Sequence, residues 1–281
     1  ASKIALLSDE INSGASDNSN QVSDTILIID AVAAIDINNL DDHHPSFSPI
    51  SYDNAPLGAK ILFNSSDPSD PNQPSQNGEA SDIYVMNIDG TNKIQLTNNS
   101  DKFNKSNKKV RDYRASWSPT GNQIVFVSNR DGNGGSQIEY PQIYVMNANG
   151  KNQTRLTSTL DDYYGADYPS WSPDGTKILY SCVNKICTIN IDGSNRTEIY
   201  DPGFQVYAAS WSPDGKKIVF VSKQTGHHEI HTMNADGTNV IQLTNTLPVN
   251  WGVTGNNMPV WSPDGTKIVY HSARDGNIEI Y

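Results

Sequence analysis

Apolar and polar residues alternate with a period of two along most of the chain, broken at short intervals by Gly, Pro, Asn and Asp. The runs Lys60-Ile-Leu-Phe63, Ile124-Val-Phe-Val127, Ile178-Leu-Tyr180, Ile218-Val-Phe-Val221 and Ile268-Val-Tyr270 are rich in β-branched and aromatic residues and read as strands. Four of them follow one five-residue signature: Trp-Ser-Pro-Asp-Gly at 171–175, 211–215 and 261–265, with Thr replacing Asp at 117–121. A weaker form, Phe47-Ser48-Pro49, precedes the first. A further strand then ends in a turn, as in Ile83 to Gly90, Ile143 to Gly150, Ile189 to Gly193 and Met233 to Gly237. Leu-Thr closes the unit at 96–97, 156–157 and 243–244. Pro presets φ, Asp bonds to the local backbone, and Gly supplies positive φ, so these punctuation points are turns.

The pattern predicts four antiparallel strands per repeat, A to D, with the Trp on A. One such sheet cannot bury both faces alone. Radial stacking of sheets buries them, with the Trp packed between neighbours, which predicts an all-β propeller. These residues resemble the TolB-type, WD40-like propeller repeat over nearly the whole chain. Relatives with this repeat include TolB, some peptidases and some polysaccharide lyases. Unlike those relatives, this chain is expected to be a stand-alone propeller, without the small α/β domain of TolB and without a hydrolase domain, so neither the TolB role nor a peptidase role carries over by default.

Repeat counting predicts six blades in one domain, at 1–40, 44–97, 114–157, 168–200, 208–244 and 258–281. Lys3 to Ser8, Thr25 to Asp30 and Ile35 to Ile37 match strands B, C and D of the first blade, which lacks A. The last blade stops at strand C. Three readings stay open: a longer natural chain, a ring closed with thinned terminal blades, or strands donated to the open edges by another molecule, giving self-association.

Composition narrows the partners. The formal net charge of -11 over 281 residues disfavours nucleic acid and anionic lipid. No apolar stretch approaches the roughly 20 residues of a membrane span. Cys182 and Cys187 face across a short predicted turn. A disulfide there implies an oxidising compartment, while the alternative is two reduced, half-buried residues. With the abundant Asn, Ser and Asp, this predicts an extracellular, cell-surface or periplasmic protein. Asn64, Asn98, Asn104, Asn152 and Asn195 begin Asn-x-Ser/Thr sequons.

Candidate chemistry falls on the loops. The D-to-A connections bring aromatic residues to one face, beside Asp42, Asp161, Asp162 and Asp167. The predicted ligand-binding set is His44, Arg114, Tyr163, Tyr164, Tyr168, Tyr207 and Trp251, a group suited to stacking on a sugar or gripping a peptide. Tyr113 and Phe204 lie on the same connections, and the alternative is that all these aromatics only pack the loops. The residue three before each Trp, or before Phe47, is variable: His44, Arg114, Tyr168, Ala208 and Met258. It is expected to line the channel. Lys102 to Arg114 is a cationic loop suited to an acidic polymer or simply solvated. His227, Glu229 and His231 alternate onto one strand face but lie in a B–C hairpin read as distant from the channel, so no metal site is predicted there. Asp131-Gly-Asn-Gly-Gly is a fragment of a calcium-loop pattern, and no cofactor is expected beyond calcium or another divalent ion.

The leading expectation is a non-catalytic, exported propeller that binds a partner protein or glycan at the D-to-A face, within a cell-surface or extracellular assembly. The alternative is a polysaccharide lyase-like enzyme using His43, His44, Arg114 and Tyr168 at the channel mouth. Some lyases with this repeat bind a metal there through several histidines, and here only His43 and His44 stand in the matching region.

Overall fold

The computed structural model describes residues 46–48, 60–65, 80–99, 102–104, 107–131, 140–158, 165–246, 255–275 and 278–281. These form five antiparallel sheets. The first holds β1 (Ser46–Phe47), β2 (Lys60–Ser65), β3 (Asp82–Asn87) and β4 (Ile94–Gln95); the second holds β5 (Asp112–Trp117), β6 (Gln123–Ser128), β7 (Gln142–Asn147) and β8 (Thr154–Arg155). The third holds β9 (Ala166–Trp171), β10 (Lys177–Cys182), β11 (Ile186–Asn190) and β12 (Thr197–Tyr200). The fourth holds β13 (Val206–Trp211), β14 (Lys217–Ser222), β15 (Glu229–Asn234) and β16 (Ile241–Gln242), and the fifth holds β17 (Asn256–Trp261), β18 (Ile268–Ser272) and β19 (Glu279–Ile280). The predicted first blade, 1–40, lies outside the described residues.

Period-two alternation on each B strand feeds two different cores. Ile124 and Phe126 of β6 pack towards Leu62, Ile83 and Val85 of the first sheet. Val125 and Val127 of the same strand pack towards Ala166, Trp171, Ile178 and Tyr180 of the third. Ile218 and Phe220 of β14 meet Leu179 and Ile186, while Val219 and Val221 meet Met258, Ile268 and Tyr270. The second, third and fourth sheets are therefore spacers between two hydrophobic layers, the packing of a propeller. Phe126, Tyr180 and Phe220 are fully buried, each contributing roughly 1.5–3 kcal/mol of transfer free energy. The signature tryptophans belong to these layers: Trp171 is buried with its Nε1–H donated to Ser116 O at 3.2 Å, and Trp117, Trp211 and Trp261 pack partly buried.

The turns also stack from sheet to sheet. In Ser172-Pro-Asp-Gly175 the Ser172 hydroxyl donates to Asp174 at 2.6 Å and accepts from Lys177 N at 2.9 Å, and Thr176 N–H donates to Asp174 at 3.0 Å. The turn at 212–217 repeats the pattern, as does the one at 262–267. On the other strand pair, Gly150 and Gly237 have φ of +80° and +87°, and a Cβ at either would meet a backbone oxygen of the preceding sheet, Leu96 O at 2.6 Å or Ile199 O at 1.9 Å. Only a residue without Cβ allows that approach.

The Leu-Thr motif has a defined task. Thr97, Thr157 and Thr244 each accept from a C-strand N–H, of Ile83, Ile143 and Ile230, at 2.9–3.0 Å. Each also donates to the first C-strand side chain, Asp82, Gln142 or Glu229. This pins the short outer strand to its neighbour. Among the sequons, Asn98, Asn152 and Asn195 are exposed, whereas Asn64 and Asn104 are buried and offer no room for a glycan.

Candidate functional site at the loop face

The A–B–C–D order puts the D-to-A connections and the B–C hairpins on one face, and the A–B and C–D turns on the other. On that loop face every fully described A strand carries the same irregularity. Pairing of β5 with β6 jumps between Tyr113 and Ser116, and β9, β13 and β17 jump at the equivalent place. Two A-strand residues there oppose a single aromatic of the B strand: Phe126, Tyr180, Phe220 or Tyr270. This is a β-bulge, which re-aims side chains. Its first residue is left-handed without being glycine: Arg114 at φ 50°, Tyr168 at 54°, Ala208 at 52° and Met258 at 54°. Each such residue costs about 1–2 kcal/mol. The four line one open cavity of about 500 Å³ between the A strands, with Ser116, Ser170 and Ser210. The channel-lining expectation holds for these four. A strands begin two residues before the predicted starts, at Asp112, Ala166, Val206 and Asn256, because the residues before the bulge still pair.

Side chains run in an arc around this mouth. Arg114 Nη1 lies 2.9 and 2.8 Å from the two carboxylate oxygens of Asp167. The guanidinium sits 4.0 Å from the Tyr168 ring centroid and 5.2 Å from that of Tyr113, within cation–π range. Tyr168 N–H donates to Asp167 at 2.8 Å, and the Tyr168 and Tyr207 rings lie 5.6 Å apart. The Tyr207 hydroxyl donates to Asn257 Oδ1, so it accepts from His228 Nδ1 at 3.1 Å, which sets the Nδ1–H tautomer. Burial, reinforced by Tyr168, raises the Tyr207 phenol above its usual range, and burial, reinforced by Lys223, lowers His228. Both stay neutral at neutral pH. The mouth therefore offers fixed rings, amides and hydroxyls, with its cation and carboxylate already paired.

Of the predicted ligand-binding residues, Arg114, Tyr168 and Tyr207 come together. His43, His44, Tyr163, Tyr164 and Trp251 lie outside the described residues, as do Asp42, Asp161 and Asp162. None of the residues of the His227–His231 hairpin lines the central cavity. In an antiparallel sheet the B–C hairpin returns to the end where A begins, and on that loop face His228 reaches Tyr207. Glu229 and His231 turn inward instead. The Glu229 carboxylate accepts from Thr246 N at 2.7 Å, Asn256 Nδ2 at 2.9 Å and the Thr244 hydroxyl. His231 stacks on Phe220 at 5.6 Å, and burial lowers its pKa. No group of three His, Cys, Asp or Glu able to hold a metal occurs among the described residues. Asp131 is engaged by Arg155 at 3.0 Å and by the Tyr144 hydroxyl. In the cationic loop, Lys109 lies 4.7 Å over the exposed ring of Phe103. The predicted disulfide is formed, with Cys182 and Cys187 buried and their Cα atoms 5.9 Å apart. No helix of the described residues is long and apolar enough to cross a membrane.

Sheets stacked around A strands that line a central cavity define a β-propeller. Residues 72–185 and 168–281 match the TolB beta propeller domain, and the chain belongs to that family. Crystallographic TolB from Acinetobacter baumannii superposes with a TM-score of 0.57 at 20% identity, over 79% of this chain and 49% of that one. An oligogalacturonate lyase in complex with manganese superposes with a TM-score of 0.55 at 11% identity, over 79% and 61%. An uncharacterized peptidase of Bacillus subtilis, YuxL, is 40% identical over 63 residues, 22% of this chain and 8% of its own length. The chain thus spans a small part of that relative and about half of the TolB chain, and the structural likenesses establish the fold alone.

Proposed function

We propose that this is a non-catalytic, exported, six-bladed propeller that binds a partner protein or glycan at its loop face. The observation that carries the reading is the arc from Tyr113 through Arg114, Asp167 and Tyr168 to Tyr207, built at three strained bulges. Strain of this kind persists where the surroundings hold it, and it clusters at binding sites. The rings and amides are held in place before any ligand arrives, which lowers the ordering cost of binding. The disulfide supports an oxidising compartment. The test is capture: the immobilised chain is exposed to an oligosaccharide array and to proteins of its own source. Retention lost in Tyr168→Ala is expected. Retention indifferent to Tyr168→Ala and Tyr207→Ala would sink the reading.

The lyase-like alternative draws on the fold shared with the oligogalacturonate lyase and on Arg114 and Tyr168 at the mouth. Against it, Arg114 is neutralised by Asp167, which weakens it as a stabiliser of developing negative charge. Release of unsaturated product from an acidic polysaccharide, abolished by Arg114→Ala, would favour the enzyme.

A further inference from the structure

The seams between neighbouring sheets are stapled on the loop face. The residue before each C strand offers its carbonyl to the first A-strand N–H of the next sheet. Asp112 N–H donates to Ser81 O at 3.0 Å, Ala166 N–H to Pro141 O at 2.8 Å and Asn256 N–H to His228 O at 2.8 Å. The seam between the third and fourth sheets has no such staple among the described residues. There the B–C hairpin shrinks to Val183-Asn184, and the carbonyl of Lys185 turns back to accept Cys182 N–H at 3.0 Å. A cleft of about 530 Å³ opens over the third sheet, from the stapled seam at Pro141 to this unstapled one at Val206. Tyr168 and the Arg114–Asp167 pair separate it from the central cavity: Tyr168 lines both, Arg114 the central cavity and Asp167 the cleft.

Three features mark the cleft. Ser181 stands where the second and fourth sheets place Val127 and Val221 and the first and fifth place Asn64 and His271. It is 8% exposed, lines the cleft, and its hydroxyl has no hydrogen-bond partner. A buried unpaired hydroxyl costs about 1–3 kcal/mol, so its retention points to something that pairs with it. Cys182 stands where Ser128, Ser222 and Ser272 accept a turn N–H, and its disulfide clamps the hairpin that forms the cleft wall. Val183 is held at φ 48°, an outlier for a β-branched residue.

We propose that this cleft, and not the central channel, is the binding site for a neutral glycosyl unit. The inference rests on the binding reading above and names its ligand class. Tyrosine rings bound the cleft, Asn184, Gln205 and Ser181 supply amide and hydroxyl groups, and the charge of Asp167 is offset by Arg114. A lining of rings and neutral hydrogen-bonding groups matches a polyhydroxylated ring better than an ion.

The test is a methyl-resolved NMR titration of the intact chain with maltose, cellobiose and N,N′-diacetylchitobiose. Val183 and Val206 report the cleft; Ala208 and Met258 report the channel. At least one sugar is expected to shift Val183 and Val206. Ser181→Ala and Asn184→Gly (glycine keeps the left-handed turn) should each weaken that sugar about fivefold, the loss of one hydrogen bond, while methyl signals elsewhere stay unchanged. Shifts confined to Ala208 and Met258 would overturn the cleft assignment and leave the glycan-binding reading standing. No response to any of the three sugars would overturn the inference; capture of a protein through the Tyr168 face would then keep the broader reading in its protein form.

Discussion

Gly237→Ala isolates the stacking of one sheet's C–D turn on the sheet before it. The new Cβ would lie 1.9 Å from Ile199 O, with φ at +87°. The left-handed backbone alone costs alanine about 1–2 kcal/mol. Relieving the clash requires the turn or the adjoining strand to move, and overpacking of that kind costs about 1–3 kcal/mol more. The equivalent glycine of the third sheet supplies the control: Gly193 has φ +83°, and its added Cβ would sit 3.4 Å from Leu156 O of the preceding sheet, an ordinary contact. Gly193→Ala should therefore show the backbone cost only. At roughly 2–4 °C per kcal/mol for a domain of this size, Gly237→Ala should melt roughly 4–20 °C below wild type and Gly193→Ala only a few degrees below. Scanning calorimetry, with urea unfolding as a second probe, reads both. Equal losses would show that the turns do not bear on neighbouring sheets, and the stacking argument would fall.

The Cys182→Ser/Cys187→Ser double variant should lose about 2 kcal/mol, the entropy of closing so short a loop, and thiol titration of the unreduced, unfolded wild type should find no free thiol. Acid should loosen the A–B turns: the Ser262 hydroxyl and then Thr266 N–H hold Asp264 down at about 2, and Asp174 and Asp214 are lowered the same way. Their folded values are depressed, so the stabilisation is full above the unfolded aspartate pKa of about 4 and is lost as pH falls towards about 2 for Asp264; exchange protection of Thr266 N–H followed against pH checks it. His231 is also lowered, by burial, but here the neutral form is the one folded, so stability should fall as pH drops below about 6.5. His231→Tyr, which restores the residue found at Tyr84 and Tyr144, should flatten that part of the stability–pH curve; an unchanged slope would clear His231 of the effect.

The repeat was legible because turn chemistry and strand period agree at every unit, from Trp117-Ser-Pro to Leu243-Thr. Channel lining was legible too, since Arg114, Tyr168, Ala208 and Met258 vary at a fixed distance from an invariant Trp. The bulge that aims them was not, because a left-handed Arg, Tyr, Ala or Met carries no local signal; only the recurrent aromatic opposite, such as Phe126 or Phe220, hints at it. The contact of His228 with Tyr207 was not legible, although strand parity returns the B–C hairpin to the loop face. The cleft was not legible because its lining, from Tyr113 to Tyr207, comes from three consecutive sheets, a relation that no single repeat contains. The burial of Glu229 was not legible either, because its partners Thr244, Thr246 and Asn256 come from outside its own hairpin.

The central claim is that the loop face, not the opposite face, binds. Capture of the retained glycan or protein by wild type, Tyr168→Ala and Lys216→Ala tests it most directly, since Lys216 lies exposed on the A–B turn of the far face. Binding should be lost in Tyr168→Ala and unchanged in Lys216→Ala. Binding kept by Tyr168→Ala and lost by Lys216→Ala would contradict the account.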